Sequence, residues 1–350
     1  MAEKKTIRME KLLTLIIPTY NMEKLLDRCL ASLVIKDDSL FQQVEVLVVI
    51  DGAKDRSSEI AHEYENRYPS VFRVIDKENG NYGSCINRGL KEAAGKYIKV
   101  LDADDCFNTE AFAAYLAEIE KLDVDLVITS GTNVTEQDEP MLEWTFDYEP
   151  NQLYPIENLK RVWIHEVTHK TELLRKIGYV QTEGISYTDE EWVFYPMSVV
   201  KNFFTLQLNL YQYTVGREGQ TMNPAVWTRS MKNEIQVSRG FFTYLAEHTD
   251  LGRASNFYQS KMETRMQGFY YRALVECGLY RNKELMDFDR WMAANYLQWY
   301  HSAESYCTED GKFHFVKQWR AHDYGAWGTY CFKIYHWYLK ARGWKNKWLK

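Results

Sequence analysis

No stretch of this sequence approaches the ~18 continuous apolar residues that a membrane-spanning helix requires, and Met1 to Thr6 hold no apolar core of the signal-peptide kind. An integral membrane protein is not expected. Close cysteine pairs are missing too. The six cysteines, Cys29, Cys85, Cys106, Cys277, Cys307 and Cys331, are scattered, several of them within apolar stretches, which argues against a disulfide framework or a zinc cluster and suits a reducing cytoplasm. Positive charge is not in excess: a net charge of −6 speaks against general nucleic-acid binding, and no nucleic-acid partner is expected. There is no internal repeat, low-complexity tract or long linker. Nor does a G-x-G-x-x-G join the first strand to its helix, and no G-x-x-x-x-G-K-[ST] occurs, so dehydrogenase and P-loop chemistry lose ground.

What is present reads as alternating strands and helices. At 350 residues the chain exceeds the size at which one core usually stops growing. The expected division is a tail at 1–10, an α/β domain at 11–220 and a helical, aromatic-rich region at 221–350. Buried-type strands are predicted at Leu12 to Ile17, Val44 to Ile50, Val71 to Ile75, Tyr97 to Leu101 and Val124 to Thr129. Helices are predicted at Glu23 to Val34, through Ile60, Ala61 and Tyr64 after a polar start at Asp55 to Ser58, at Ser84 to Ala94 with Gly95 as its C-cap, and at Asn108 to Leu122. This order implies a mostly parallel sheet with right-handed crossovers, whose carboxyl-edge loops bring Pro18, Asp51, Asn79 and Asp102 together. Later segments are predicted as a strand near Trp163 to Thr168, a helix from Thr171 to Ile177 and a strand near Phe203 to Val215. The aromatics after Pro224, such as Tyr270, Tyr271, Trp291, Tyr296, Trp299 and Tyr300, read first as core.

The densest chemistry follows the fourth strand, where Asp102, Asp104 and Asp105 stand within four residues. Such carboxylates repel one another unless protons or a divalent cation neutralise them, and oxygen ligands suit magnesium or manganese. The competing reading is a solvated turn with Asp105 or Asn108 capping the next helix. Asp51, ending the second strand, is acceptor-only and suited to a nucleobase N–H, or else belongs to an ordinary Asp-Gly turn. His165-Glu166-Val167-Thr168-His169 matches H-E-x-x-H. Its β-favouring surroundings and the lack of a third ligand motif argue against zinc proteolysis. Asp189-Glu190-Glu191 offers a general base or, more simply, an acidic helix start. Residues 333–350 carry Lys333, Lys340, Arg342, Lys345, Lys347 and Lys350 with Trp337, Trp344 and Trp348 and no acid. That pattern suits either a packed terminal helix or contact with an anionic membrane surface, on the inner face of the cytoplasmic membrane.

Taken together, Ile16 to Asn21, Val48 to Gly52 with Asp55, Asn79 to Asn87 with Gly89, and Gly95 to Ile98 leading to Leu101 to Asp105 resemble the inverting family 2 glycosyltransferases of GT-A fold, over roughly residues 12–220. The resemblance implies that Pro18, Thr19, Tyr20, Asp51, Asn79, Gly83, Asn87, Asp102 and Ala103 hold a nucleotide-diphospho-sugar. It places Asp102 and Asp104 at Mg²⁺ or Mn²⁺, and Asp189 as the base. Two departures stand out: Thr188 occupies the glutamate position of a Glu-Asp pair, leaving Glu190 and Glu191 as rival bases, and Ile50 replaces a frequent aspartate. The Q-x-x-R-W motif of processive synthases is absent. The activity implied is inverting transfer of one hexosyl or N-acetylhexosaminyl unit, from a UDP-sugar, to a glycan or lipid-linked oligosaccharide in bacterial capsular, exopolysaccharide or other surface-glycan synthesis. The alternatives are a sugar-phosphate nucleotidyltransferase, whose glycine- and lysine/arginine-rich first loop is missing here, and a non-catalytic carbohydrate-binding protein.

Overall fold

The computed structural model describes residues 11–216, 224–248, 252–308, 311, 313–324, 330, 333–335 and 337–338. The chain divides into two compact units, Met1–Arg217 with Leu251–Asn256 and Glu218–Asp250 with Phe257–Lys350.

The first unit is built on continuous apolar runs. Lys11–Thr19 (β1) and Val44–Asp51 (β2) form strands whose side chains are buried on both faces, as unbroken Val, Leu and Ile runs demand. Leu26–Ala31 (α1) and Asp38–Phe41 (α2) connect them, so the helix expected over Glu23 to Val34 is shorter, and Asp37 caps a second helix through the N–H groups of Ser39 and Leu40. Ser57–Arg67 (α3), Phe72–Lys77 (β3), Asn81–Glu92 (α4) and Gly95–Val100 (β4) complete a parallel half-sheet. Helix α4 ends at Ala93, which is already extended, so Gly95 is not its C-cap. Gly95 instead lets β4 approach β1: a Cβ there would lie 2.4 Å from the Thr14 nitrogen.

Cys106–Phe107 (β5), Thr109–Ile119 (α5, capped by Asn108), Leu126–Val134 (β6), Pro140–Trp144 (β7), Gln152–Pro155 (β8), Val167–Lys170 (β9), Thr171–Lys176 (α6), Glu191–Phe194 (α7) and Asn202–Thr214 (β10) follow. The sheet order is β3-β2-β1-β4-β9-β6-β10-β5, with β7 on β6 and β8 on β10. Strands β3, β2, β1, β4, β6 and β10 share one direction, while β9 runs against β4 and β6 as a wedge between them. The strand expected from Trp163 begins only at Val167, because Glu166 folds a turn in which its carboxylate accepts the Trp163 N–H at 2.6 Å. Leu13, Leu15, Ile17, Val46 and Val48 lie in one buried cluster, each contributing roughly 1.5–3 kcal/mol by leaving water.

The second unit is helical: Pro224–Glu247 (α8), Ser255–Tyr270 (α9, whose first two residues belong to the first unit), Lys283–Asn295 (α10), Leu297–Ser302 (α11) and Phe315–Ala321 (α12). Its core is aromatic, with Trp227, Phe241, Phe242, Phe269, Tyr270, Phe288 and Trp319 buried; of the aromatics expected as core, Tyr270 is buried while Tyr271, Trp291, Tyr296, Trp299 and Tyr300 are half-buried. Asp289, fully buried, accepts from Tyr270 (2.6 Å), Tyr324 (2.9 Å) and Arg320 (2.6 Å). The cysteines among the described residues are free, and no described helix is long and apolar enough to cross a membrane. Most of the basic segment 333–350, where membrane contact was expected, lies outside the described residues.

Candidate active site

Strands β1, β2 and β4 are parallel neighbours, so their carboxyl ends open on one edge. Registers Thr19↔Ile50 and Ile16↔Val100 put Asp51 and Asp102 on that edge with β1 between them, about 10 Å apart at the usual strand spacing. Residues held at positive φ gather in the loops of the same unit: Asn21 at 53°, Asn81 at 65° and Tyr187 at 65°.

The acids form a turn closed by the Asp105 N–H on the Asp102 carbonyl at 3.0 Å. Strand β10 braces it. Asp105 is buried and accepts the Thr214 N–H and the Tyr211 hydroxyl, each at 2.7 Å, while the Asp102 N–H reaches the Tyr211 oxygen at 3.3 Å. The Asp104 carbonyl accepts the Thr214 hydroxyl at 2.7 Å and the Arg28 guanidinium at 3.1 Å, and Arg28 also pairs with Asp138 at 3.0 Å. Burial first, then repulsion by Asp104, pushes Asp102 up to about 7; Asp189 adds to the rise and the Tyr82 hydroxyl, donating at 3.1 Å, opposes it. Asp105 rises well above the usual carboxylate range, again chiefly by burial and then by Asp104.

Ligand atoms of Asp102, Asp105 and His165 lie within 4.8 Å of one another. Asp104, expected with Asp102 at the metal, is outside that group, because a 102-to-105 turn sets its first and last residues side by side. His165 rests on Tyr211 and Tyr213 with ring centroids 4.6 and 4.9 Å away, and burial, then the nearby Lys99, lowers it to about 3, leaving a neutral imidazole. Two carboxylates and a neutral ring that repel or lack charge balance fit a divalent cation. The H-E-x-x-H pair does not share a helix face: His169 lies in β9 and its Nε2 meets the Trp192 carbonyl at 3.0 Å.

Asp51 is 3 % exposed and organises the next loop. Its Oδ1 accepts Lys77 Nζ (2.5 Å), the Gly80 N–H (2.9 Å) and the Ser84 hydroxyl (3.5 Å), and its carbonyl accepts Asn79 Nδ2 (2.9 Å). Thr19 is buried and its hydroxyl donates to the Ile17 carbonyl at 3.1 Å, whereas Tyr20 is 44 % exposed. Pro18 is half-buried and Ala103 buried. Gly83 and Asn87, expected at the donor, meet the 181–183 segment instead: a Cβ on Gly83 would sit 2.0 Å from the Thr182 oxygen, and Asn87 Nδ2 reaches the Gln181 carbonyl at 2.9 Å. Asp189 raises the titration of Asp102, Tyr82 and Tyr213, so its charge is felt across the acid turn. Of the rival bases, Glu191 is 1 % exposed and committed to the Thr182 N–H at 2.7 Å.

Residues 14–175 match the profile of glycosyl transferase family 2. Within those bounds the chain resembles a family 2 glycosyltransferase domain. The glycosyltransferase EpsJ of Bacillus subtilis is 37% identical over 116 residues, 33% of each chain. GlyG of Streptococcus pneumoniae is 30% identical over 131 residues, 37% of this chain and 42% of its own. The minor teichoic acid biosynthesis protein GgaB of B. subtilis is 34% identical over 116 residues, 33% of this chain and 13% of its own. The matched stretch of this chain thus spans about a third of the first of these relatives. S. aureus TarS 1–349, solved with UDP-GlcNAc, superposes with a TM-score of 0.59 over 89% of this chain and 88% of its own at 19% identity, which fixes the GT-A fold.

Proposed function

We propose that this glycosyltransferase moves one hexosyl or N-acetylhexosaminyl unit from a nucleotide-diphospho-sugar, a UDP-sugar first, to an acceptor hydroxyl with inversion at the anomeric carbon. The observation that carries the reading is that Asp51 and the acid turn share one sheet edge; the charge of Asp189 is felt at Asp102. A spacing of about 10 Å between Asp51 and Asp102 suits a nucleoside at one end and its diphosphate at the other. Asp189 takes the proton of the acceptor hydroxyl, the hydroxyl oxygen attacks the sugar, and the bond to the diphosphate breaks through an oxocarbenium-like transition state. Asp102, with Asp104 or with Asp105 and His165, would hold Mg²⁺ or Mn²⁺, which when bound neutralises charge on the departing diphosphate. Pro18, Thr19, Tyr20, Asn79 and Ala103 complete the donor side. Kinship with GgaB supports a role in surface-glycan synthesis.

The test is release of UDP from UDP-GlcNAc with Mn²⁺, followed by a panel of other nucleotide sugars. Asp104→Ala and Asp102→Ala should lose turnover by at least about 100-fold with the fold intact by circular dichroism; near-normal rates would refute the cation site. Asp189→Asn should keep UDP·Mn²⁺ binding and lose about 10²–10⁴ in rate.

A further inference from the structure

Residues 181–191 leave the fold and return to it at one place because side chains tie the two ends together. Gln181 Nε2 donates to the Thr188 carbonyl at 2.9 Å and to its hydroxyl at 3.2 Å, and both residues are 0 % exposed. The Gln181 side-chain oxygen accepts the Tyr179 hydroxyl at 2.9 Å, and the Thr182 N–H reaches Glu191 at 2.7 Å. Asp189 is the residue after Thr188. At the position where similar enzymes carry glutamate, the hydroxyl and carbonyl of Thr188 are thus taken up by a glutamine brought from the other end of the loop.

Asn87 of α4 grips that glutamine by its backbone. Asn87 Oδ1 accepts the Gln181 N–H at 2.8 Å, and Nδ2 donates to the Gln181 carbonyl at 2.9 Å and to Glu183 at 2.8 Å. An amide side chain that pairs with both groups of one peptide residue leaves that residue little freedom. The first turn of α4 makes the remaining ties. The Gly80 N–H donates to Asp51, the Gly80 carbonyl accepts the Gly184 N–H at 3.0 Å, and the Tyr82 hydroxyl reaches Asp102.

We propose that Asn87 is a positioning residue for the base: by holding Gln181, and through it Thr188, it fixes Asp189 within reach of the acceptor, and α4 thereby joins the nucleotide end, the cation end and the base loop in one rigid piece. This rests on the reading of Asp189 as base. A displacement of about 1 Å at a reacting group costs up to about 10²-fold in rate, so the grip should register in turnover rather than in donor affinity.

The experiment is a double-mutant cycle with Asn87→Ala, Asp189→Asn and their combination, reading UDP release from the active donor of the panel and UDP·Mn²⁺ affinity by calorimetry. Asn87→Ala is expected to lower kcat at least about tenfold, to leave the donor KM and the UDP affinity within about twofold, and to cost nothing further once Asp189→Asn is present. Losses that multiply in the double variant, or a fall in UDP affinity at unchanged kcat, overturn the proposal. Normal turnover by Asp189→Asn alone overturns the base reading beneath it. Asn87→Asp, of the same shape, keeps only the bond from the Gln181 N–H and should show the same non-additive loss. Hydrogen exchange is a donor-independent arm: faster exchange in 181–191 with β1 and β2 unchanged supports the grip, and unchanged exchange there overturns it.

Discussion

The Tyr82 hydroxyl and the Asp104 charge pull Asp102 in opposite senses, and burial decides the outcome at about 7. Below that pH a cation must displace a proton from Asp102, so Mn²⁺ affinity should rise about tenfold per pH unit towards 7, and the part owed to Asp102 should level off above it. The sign for stability follows. The folded pKa of Asp102 lies above the unfolded value of about 3.9, so ionising it in the metal-free protein costs stability as pH climbs from about 4 through 7. Thermal stabilisation by Mn²⁺ should therefore be larger at pH 8 than at pH 5.5. Tyr82→Phe removes the bond that favours the ionised form, which should move the levelling point to higher pH and weaken Mn²⁺ about tenfold at pH 7. Titration calorimetry from pH 5.5 to 8 checks both, and a flat profile would sink the claim. Asp102 and Asp105 were legible as an acidic run, and His165 was legible only inside a misleading zinc motif. Tyr211, Thr214 and Arg28 left no signal, since each meets the acid turn across more than 70 residues of chain.

Among the elements, strands β1 to β4 were legible because interior parallel strands write themselves as unbroken apolar runs. Their boundaries were less so. Gly95 looked like a helix terminator, yet its missing side chain serves the β4 to β1 approach. Gly95→Ala should cost about 2–3 kcal/mol, read as a lower urea midpoint at unchanged slope, and a loss under half a kcal/mol would contradict the crowding at Thr14. The wedge strand β9 was foreseen only in part, as a strand near Trp163 to Thr168: four residues of Val-Thr-His-Lys carry little periodicity, and their antiparallel seat depends on partners on both sides. Gly83 and Asn87 were expected at the donor through the family resemblance, and sequence alone could not show that Asn87 also meets a loop 94 residues away.

At the scale of the molecule, alternation and the order of the linked motifs made the GT-A sheet readable, whereas the acceptor and the donor sugar depend on pocket walls that no motif encodes. The helical unit has its own keystone in Asp289 and Arg320, 0 % and 6 % exposed. Asp289→Asn leaves the buried guanidinium with only the more distant, partly exposed Glu304 carboxylate at 3.8 Å and should destabilise that unit by about 3 kcal/mol, seen as an earlier melting transition; an unchanged melt would mean the pair is dispensable. The bracing of Asp105 has a consequence in time. Its two donors, Tyr211 and Thr214, lie 106 and 109 residues downstream. During synthesis the parallel half-sheet emerges long before the strand that steadies the carboxylates, so a ribosome-bound chain passes through a stage with the edge that carries Asp51 but an unbraced acid turn. On the proposed function, premature termination before β10 should yield a product without donor hydrolysis, sparing activated sugar.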